Sequence, residues 1–377
     1  MMVVARAVRA FGFGVLAVAL ALYLSDRGLR PFAVGALLTV ALLTGATFLA
    51  VAAPLVRRLG RRGALLGAAA LMCTAGIVLG LPGGLVTIVL ASLLGTLSAG
   101  GQEVGPFAAI EQHLIAESAP ANASARPFAI YNLVGAFALA LGALATTAIP
   151  TRLIPWSYAA CGLALFAVYS ALPKDTAPAG RTSARAPTRF GPAERLAVLF
   201  GVDALAGGFV VQSFLAYWLH ERFAANQQQL GLVLFGANAL AALSYLAAAW
   251  LSNRIGLLRT MVFTHLPSNV LLCLVPLMPT LGGAVALLLA RFALSQMDVP
   301  TRQAFTMDIV APEDRARAAG LTNAVRPAAA ALAPIFAGLA LQAAATGLPF
   351  FLAGGLKIAY DLAVFGLFRR TPSYARH

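Results

Sequence analysis

The sequence predicts an all-α integral membrane protein with twelve transmembrane helices. Of the 377 residues, 60% are hydrophobic and only 11% are charged, and the mean hydropathy is +0.84. Soluble domains carry about 25% charged residues, so a water-soluble enzyme is excluded. Apolar runs close to the ~20 residues that cross a bilayer recur along the whole chain. Lys and Arg are concentrated in alternate connections between these runs, as in multi-pass membrane proteins.

Each of the twelve spans is an apolar run bounded by charged residues or by Pro and Gly. In chain order, as spans 1 to 12, they cover 10–25, 32–55, 64–81, 84–106, 127–149, 156–173, 196–219, 229–252, 260–277, 281–305, 318–342 and 349–368. The first run is interpreted as span 1 rather than a signal peptide, because no small-residue cleavage site precedes a soluble domain.

A polar segment divides the spans into two sets of six. Residues 174–195 are rich in Pro, Ala, Thr and Arg and show no apolar periodicity, which is typical of a flexible linker. We therefore expect an N-terminal six-helix bundle at 1–173, a cytoplasmic linker at 174–195 and a C-terminal six-helix bundle at 196–377.

The net charge of +14 indicates orientation in the membrane. Nineteen of the 27 Lys and Arg residues fall in segments on one side of the predicted spans, and four fall on the other. Basic loops stay in the cytoplasm, so both termini and the linker are predicted to be cytoplasmic. The basic residues are too scattered along the chain to form a groove that binds nucleic acid. The expected location is a bacterial cytoplasmic (inner) membrane. The last four cations lie within spans: Arg291, Arg302, Arg326 and Lys357.

The sequence contains no pattern that calls for a cofactor. Its three cysteines lie in apolar runs, so neither a disulfide framework nor a metal cluster is expected. A phosphate-binding loop is absent, which excludes ATP hydrolysis as the energy source. No Ser/His/Asp arrangement indicates catalysis, so we do not expect an enzyme.

Four landmarks recur at nearly one spacing and indicate an internal repeat. The pairs, 191 to 196 residues apart, are Gly35 and Gly231, Gly60 and Gly256, Glu103 and Asp298, and Asn132 and Asn323. Two copies of one six-helix unit, related as a parallel repeat, account for this spacing.

The loop after span 2 resembles the signature G-x-L-x-D-R-x-G-R-R of the major facilitator superfamily. The residues retained are Leu55, Arg58, Gly60, Arg61 and Arg62, with Arg254 and Gly256 at the second copy. Arg57 and Asn253 replace the signature aspartate, so the charge contact in these loops must differ. Span 5 has Gly135 and Gly142 but lacks the Gly-Pro pair of antiporter-type members.

The resemblance covers essentially the whole chain, and spans 4 and 10 also resemble a bacterial subgroup of transporters with unassigned substrates. It implies two six-helix bundles that rock around a central cavity lined by spans 1, 4, 7 and 10. The resemblance also implies that the protein is a monomer in the lipid bilayer and moves a small-molecule substrate across it.

Span 10 carries a polar stripe at helical spacing. Arg291, Asp298 and Arg302 fall within about 40° of one another around a helix, and Ser295 lies about 40° from Arg291. On span 4, Thr96 and Glu103 form a similar stripe. The substrate-cavity candidates are therefore Thr96, Gln212, Arg291, Ser295 and Asp298. Alternatively, Asp298 and Arg302 neutralise each other across one helical turn.

Charges at membrane depth need a cavity or a partner, and four are candidates for proton coupling or gating: Glu103, Asp203, Arg302 and Arg326. Glu103 could carry a proton or form a salt bridge to Arg326 or Arg302. Asp203 could be a proton or gate residue, or an acid that packs between helices with its hydrogen bonds satisfied. The expected acid for Arg326 is Glu103 or Asp298.

Four further titratable residues are assigned structural roles. Glu111 is expected close to water, in a loop or gate. Lys357 and Asp361, four residues apart, are expected to pair within span 12, which the resemblance makes peripheral. His265, near Pro267, is expected to be a hydrogen-bonded packing residue rather than a pH-sensing group.

These features predict a secondary active transporter of a small organic solute, with proton-coupled export by alternating access. An organic-anion or organophosphate carrier is the alternative, because Arg291, Arg302 and Arg326 are numerous for a hydrophobic-drug site. A membrane enzyme or sensor is a distant alternative, since neither a paired catalytic set nor a soluble output domain is evident.

Overall fold

The computed structural model describes residues 1–94, 96–98, 107–118, 126–173, 191–310 and 314–370. Over these residues the chain is helical and contains no strand. The helices are α1 (Met2–Ser25), α2 (Pro31–Ala50), α3 (Ala52–Gly80), α4 (Gly84–Leu93), α5 (Phe107–Ser118), α6 (Arg126–Ala145), α7 (Ile154–Ser170), α8 (Pro192–Gly208), α9 (Gln212–Phe223), α10 (Gln227–Ile255), α11 (Leu257–Leu274), α12 (Leu281–Ser295), α13 (Asp298–Ile309), α14 (Arg315–Gln342) and α15 (Leu348–Phe368).

The predicted all-α membrane fold is confirmed. In the described residues, ten helical segments are long and apolar enough to cross a membrane, and two shorter apolar helices cover Gly84–Leu93 and Ile130–Ala145. Together these twelve segments correspond to the twelve predicted spans. The first begins at Met2 rather than residue 10, because the run from Met2 to Arg9 is helical despite its two arginines.

Spans 4, 7 and 10 differ from the continuous helices that the sequence predicts. Within span 4, predicted as 84–106, α4 ends at Leu93 and the described residues 96–98 are not helical. Span 7 divides into α8 and α9 after Gly207 and Gly208. Glycine has a low helix propensity, which favours a break at this point. Span 10 divides into α12 and α13 at residues 296–297. Pro300 cannot donate to the carbonyl four residues earlier, which weakens the helix at that point.

The chain forms two compact units. One comprises Met1–Arg181 with Val211–Asn238, and the other comprises Thr182–Val210 with Ala239–His377. The first therefore includes α9 and the start of α10 besides α1 to α7, and the second includes α8, the rest of α10 and α11 to α15.

In the first unit α1 is the central element and packs against α6, α7 and α9. At the crossing of α1 and α6, a Cβ on Gly14 would lie 2.0 Å from the Leu139 carbonyl oxygen. A Cβ on Gly142 would lie 2.0 Å from the Phe11 carbonyl oxygen. Two glycines facing each other's helix let the backbones approach closely, as at small-residue interfaces in membranes.

In the second unit α8 packs against α14 and α15, and α11 packs against α12, α13 and α15. Phe200, Met261, Phe305, Tyr360 and Val364 belong to its buried apolar core. This core brings side chains of α8, α11, α13 and α15 to one place, where the buried charges of the unit are found.

The internal repeat is visible in the backbone of the signature loops. Gly60 interrupts α3 at φ 72° and ψ 169°, and Gly256 joins α10 to α11 at φ 88° and ψ 161°. Residues with a Cβ rarely adopt this conformation. The same turn therefore occurs 196 residues apart, at the two glycines that the sequence repeat aligns.

Candidate functional site: a buried charge cluster around Asp203

Asp203 of α8 is the centre of a buried charge cluster in the second unit. Its Oδ1 accepts a hydrogen bond from Lys357 Nζ of α15 at 2.5 Å. Its Oδ2 lies 3.0 Å from Arg326 Nη1 of α14 and 3.2 Å from Arg302 Nη1 of α13. One carboxylate, 2% exposed, thus binds cations from three helices.

Arg302 connects Asp203 to a second acid, because its Nη1 also lies 2.5 Å from Asp298 Oδ2 within α13. This contact between residues four apart is the neutralisation that the sequence suggested. The guanidinium carbon of Arg302 also lies 5.5 Å from the centre of the Phe200 ring. Charge-assisted bonds to two carboxylates compensate for the burial of Arg302.

His265 of α11 lies between two carboxylates. Its Nδ1 is 2.9 Å from Asp361 Oδ1 on α15, and its Nε2 is 3.9 Å from Asp203 Oδ1. Asn269, one turn further along α11, donates to Asp361 Oδ2 at 3.0 Å. The Tyr360 ring packs edge-on against the imidazole, with centroids 6.1 Å apart. The prediction of a hydrogen-bonded histidine is therefore confirmed.

One predicted ion pair is wrong in its partner. Lys357 pairs with Asp203 and not with Asp361, which instead binds His265 and Asn269. Arg326 contacts Asp203, which is not among its expected partners; of those, Glu103 lies outside the described residues. Spacing along one helix predicted the pair of Lys357 with Asp361, whereas side chains from α8 and α11 reach these groups across helix interfaces.

The charges of this cluster balance. We use "Asp203 cluster" for the three acids, the three cations bound to them, and the two polar side chains beside them: Asp203, Asp298, Asp361, Arg302, Arg326, Lys357, His265 and Asn269. With neutral His265 its formal charge is zero. Burial of these charges is costly unless every member is paired, which makes each contact matter for stability.

Arg291 and Ser295 lie on α12, one turn apart, and are buried at 8% and 4% exposure. Among the residues that the structure describes, Arg291 Nε and Ser295 Oγ have no hydrogen-bond partner. The ring of Phe292 lies 5.0 Å from the Arg291 guanidinium carbon. Within this part of the chain, Arg291 is therefore a buried cation without a direct ionic contact, and Asp203 and Asp298 attract its charge at longer range.

The first unit contains a separate ion pair, between Arg9 of α1 and Glu111 of α5. Arg9 Nη1 and Nη2 lie 2.9 and 2.7 Å from the two oxygens of Glu111. The hydroxyl groups of Tyr169 and Tyr131 donate to the same oxygens at 2.5 and 2.6 Å. The Phe107 ring centre lies 4.7 Å from the Arg9 guanidinium carbon.

This pair corrects two expectations. Glu111 has no exposed surface, so its predicted place near water is wrong. Arg9 belongs to the cations predicted for cytoplasmic loops but is fully buried in α1. A signal for this burial exists in the sequence: Arg9 directly precedes the apolar run 10–25, where a helix could begin earlier.

Two other predicted site residues, Thr96 and Gln212, belong to the first unit. Thr96 is buried, and its carbonyl accepts a hydrogen bond from the Tyr158 hydroxyl. The Gln212 amide of α9 bonds to the Asn238 amide of α10 at 2.7 Å. Glu103 lies outside the described residues.

The basic residues of the signature loops are at the surface. Arg58 and Arg254 are exposed, and Arg254 stacks on the Trp250 ring, 4.2 Å from its centre. Arg61 and Arg62 are partly buried, and Arg62 donates to the Ser170 carbonyl at 2.6 Å. Such contacts hold the loop against its own unit.

The ten helical segments of the described residues that are long and apolar enough to cross a membrane define the class as a multi-pass membrane protein. The family model of the Major Facilitator Superfamily matches residues 196–377. An uncharacterized membrane protein of Saccharomyces cerevisiae is 26% identical over 358 residues, which cover 82% of this chain and 80% of the yeast protein.

Solved structures extend the similarity to the whole chain. A peptide transporter POT in complex with sulfate has a TM-score of 0.77 at 13% identity, covering 98% of this chain and 94% of that one. A D-xylose-proton symporter has a TM-score of 0.74 at 15% identity, covering 98% and 96%. The resemblance to the Major Facilitator Superfamily is thus confirmed by the family model over residues 196–377, and the solved structures show a similar fold over 98% of the chain.

Proposed function

We propose that this protein is a secondary active transporter that exports a small organic solute by alternating access, coupled to proton movement. The single observation that carries the proposal is the Asp203 carboxylate, held at membrane depth by Lys357, Arg326 and Arg302. Ionisable groups inside membrane spans are expensive to bury and mark transport or proton pathways.

Asp203 is the proposed coupling residue. A proton on this carboxylate removes the charge to which three cations are bound, so it loosens α13, α14 and α15 from α8 in one step. His265 lies beside this carboxylate, with its Nε2 3.9 Å from Asp203 Oδ1. Among the other predicted carriers, Asp298 contacts only one cation of the described residues, Arg302, so a proton on it would release one cation rather than three. The similarity in fold to a D-xylose-proton symporter is compatible with this assignment.

The orientation is proposed from charge. The excess of basic residues on one side of the spans supports cytoplasmic termini, a cytoplasmic linker and residence of a monomer in a bacterial cytoplasmic membrane. A thiol reagent that does not cross the membrane tests this orientation. It is applied to intact cells that carry the Arg254→Cys variant, with Asp26→Cys as the matched control. Labelling of Asp26→Cys alone is expected, and labelling of Arg254→Cys in intact cells contradicts the orientation.

Proton-coupled flux is the direct test of function. The purified protein is reconstituted in liposomes that contain a trapped pH dye, and a panel of organic solutes is applied under an imposed pH gradient. We expect at least one solute to move protons in wild-type liposomes. Asp203→Asn should abolish this proton movement, whereas Asp26→Asn, an exposed acid, should not. Flux that persists unchanged in Asp203→Asn contradicts the coupling role, and absence of any solute-dependent flux contradicts transport.

Direction requires oriented vesicles. Export coupled to proton entry predicts that solute leaves right-side-out vesicles faster when the outside is acidified, and that a protonophore removes this acceleration. Accumulation inside under the same gradient would instead identify import.

An organic-anion carrier is the second candidate, and Arg291 is the observation that favours it. Of the three arginines that suggested an anion site, Arg302 and Arg326 are neutralised by Asp203 and Asp298. A multi-arginine organophosphate site is therefore not supported by this arrangement. Of these three arginines, Arg291 alone makes no direct ionic contact within the described part of the chain.

A further inference from the structure

Arg291 is a buried cation that forms no ion pair with a described acid, and Asp203 and Asp298 attract its charge only at longer range. Its exposure is 8%, and no described residue accepts a hydrogen bond from its Nε. Leaving a buried charge without a partner is costly. The C-terminal end of α12, four residues away, contributes a partial negative charge of only about half an electron. The compensation available within the described residues is therefore incomplete.

Ser295 provides a second unsatisfied donor on the same face. Its hydroxyl lies one turn after Arg291, is 4% exposed and has no partner among the described residues. Side chains four residues apart on a helix are neighbours. Arg291 Nε and Ser295 Oγ are thus two buried donors on one helix face without a described acceptor. A ligand with a hydrogen-bond acceptor could satisfy both.

The position of this pair separates it from the Asp203 cluster. α12 ends at Ser295, and α13 begins at Asp298, whose carboxylate is occupied by Arg302. Transporter binding sites are commonly built where a membrane helix is interrupted. The break thus lies between a neutral ionic cluster and an arginine without a direct ionic contact in the described residues.

The charge count selects the class of ligand. The Asp203 cluster is neutral with His265 uncharged, so Arg291 leaves a single positive charge. One negative charge balances it, and a planar carboxylate matches the two-donor edge of a guanidinium. A phosphate dianion would bring an excess negative charge close to Asp203 and Asp298.

We propose that Arg291 and Ser295 bind the carboxylate of a monoanionic organic solute. This inference rests on the proposed transport function and names its substrate class. Arg291 forms the charge-assisted contact, and Ser295 donates a further hydrogen bond to the same carboxylate.

Acetate, a minimal carboxylate, tests the proposal whatever the rest of the solute is. Thermal unfolding of the purified protein is measured against increasing acetate, with chloride at equal ionic strength and neutral acetamide as references. We expect a saturable rise in the unfolding midpoint with acetate alone, because binding to the folded state stabilises it. In Arg291→Gln the apparent affinity should fall about tenfold or more, as expected for a lost charge-assisted bond.

Matched variants distinguish the site from a general charge effect. Arg259→Gln, which removes an exposed arginine of α11, should bind acetate as the wild type does. Arg291→Lys should retain part of the affinity, and Ser295→Ala should weaken binding less than Arg291→Gln. An equal response in Arg291→Gln and the wild type overturns the proposal, as does absence of a saturable response in the wild type. Tighter binding of methyl phosphate than of acetate overturns the monoanion class.

A measurement on the unmodified protein covers the case in which Arg291→Gln fails to fold. Phenylglyoxal, which modifies accessible arginines, is applied with and without acetate, and the modified positions are identified by mass spectrometry. Acetate should protect Arg291 and leave Arg259 unprotected, whereas equal modification of Arg291 in both conditions contradicts the site. These binding measurements need no flux, so they can fail while transport is observed, and they can succeed where it is not.

Discussion

Lys357 Nζ and Asp203 Oδ1 lie 2.5 Å apart although 154 residues separate them in the chain. The contact joins α15 to α8, and it is one of three cationic contacts made by the same carboxylate. Because the pair is buried, each partner depends on the other for compensation. The stability of the second unit should therefore respond strongly to changes at either residue.

Asp203→Asn should destabilise the protein more than Lys357→Met. Removal of the acid deprives three cations of a partner, whereas removal of the lysine leaves Asp203 with two arginines. Loss of one partner from a buried pair costs about 3–5 kcal/mol. The double variant should be less destabilised than the sum of the single variants, by about 0.5–3 kcal/mol. Thermal unfolding in detergent measures this cycle, and strict additivity contradicts the direct contact.

The broad architecture could be predicted from sequence because it depends on local information. Runs of apolar residues, the asymmetry of basic residues and the repeat of Gly60 and Gly256 are each read directly along the chain. The breaks within spans 7 and 10 are not predicted, although Gly207–Gly208 and Pro300 are local signals. Hydropathy averages over a window and does not register one weakened helical turn.

The charge partners could be predicted only where they share a helix. Asp298 and Arg302 are identified from their spacing, whereas Lys357 and Arg326 bind Asp203 from other helices. Helical periodicity gives the face of a side chain but not the helix that faces it. The same limitation applies to the Arg9–Glu111 pair, since their separation of 102 residues carries no periodic signal.

Glu111→Gln should destabilise the first unit by about 3–5 kcal/mol, because it leaves the Arg9 guanidinium buried without a counter-charge. Tyr131→Phe and Tyr169→Phe each remove one hydrogen bond to the carboxylate and should cost about 1.5–3 kcal/mol. The change in the free energy of unfolding measures the order of these effects. Arg57→Gln, at an exposed loop position, should be close to neutral. Similar costs for Glu111→Gln and Arg57→Gln contradict the assigned burial.

Gly256→Ala should be destabilising for reasons of backbone conformation alone. A Cβ at this position meets no atom within 4 Å, but φ is 88°. Holding a residue with a Cβ in this region costs about 1–3 kcal/mol. Gly355→Ala is the matched control, since it also has open space but lies within α15 and shows no positive φ. A lower unfolding midpoint is expected for the first variant only.

Gly14→Ala should destabilise the first unit by steric overlap rather than by conformation. The added methyl group would lie 2.0 Å from the Leu139 carbonyl oxygen, so α1 and α6 must separate. Overpacking of this kind typically costs about 1–3 kcal/mol. Gly142→Ala creates the reciprocal overlap with the Phe11 carbonyl and should behave alike. Gly67→Ala, in open space on α3, should instead be neutral or stabilising by up to about 1 kcal/mol, because alanine favours the helix. Equal midpoints for Gly14→Ala and Gly67→Ala would exclude the close crossing of α1 and α6.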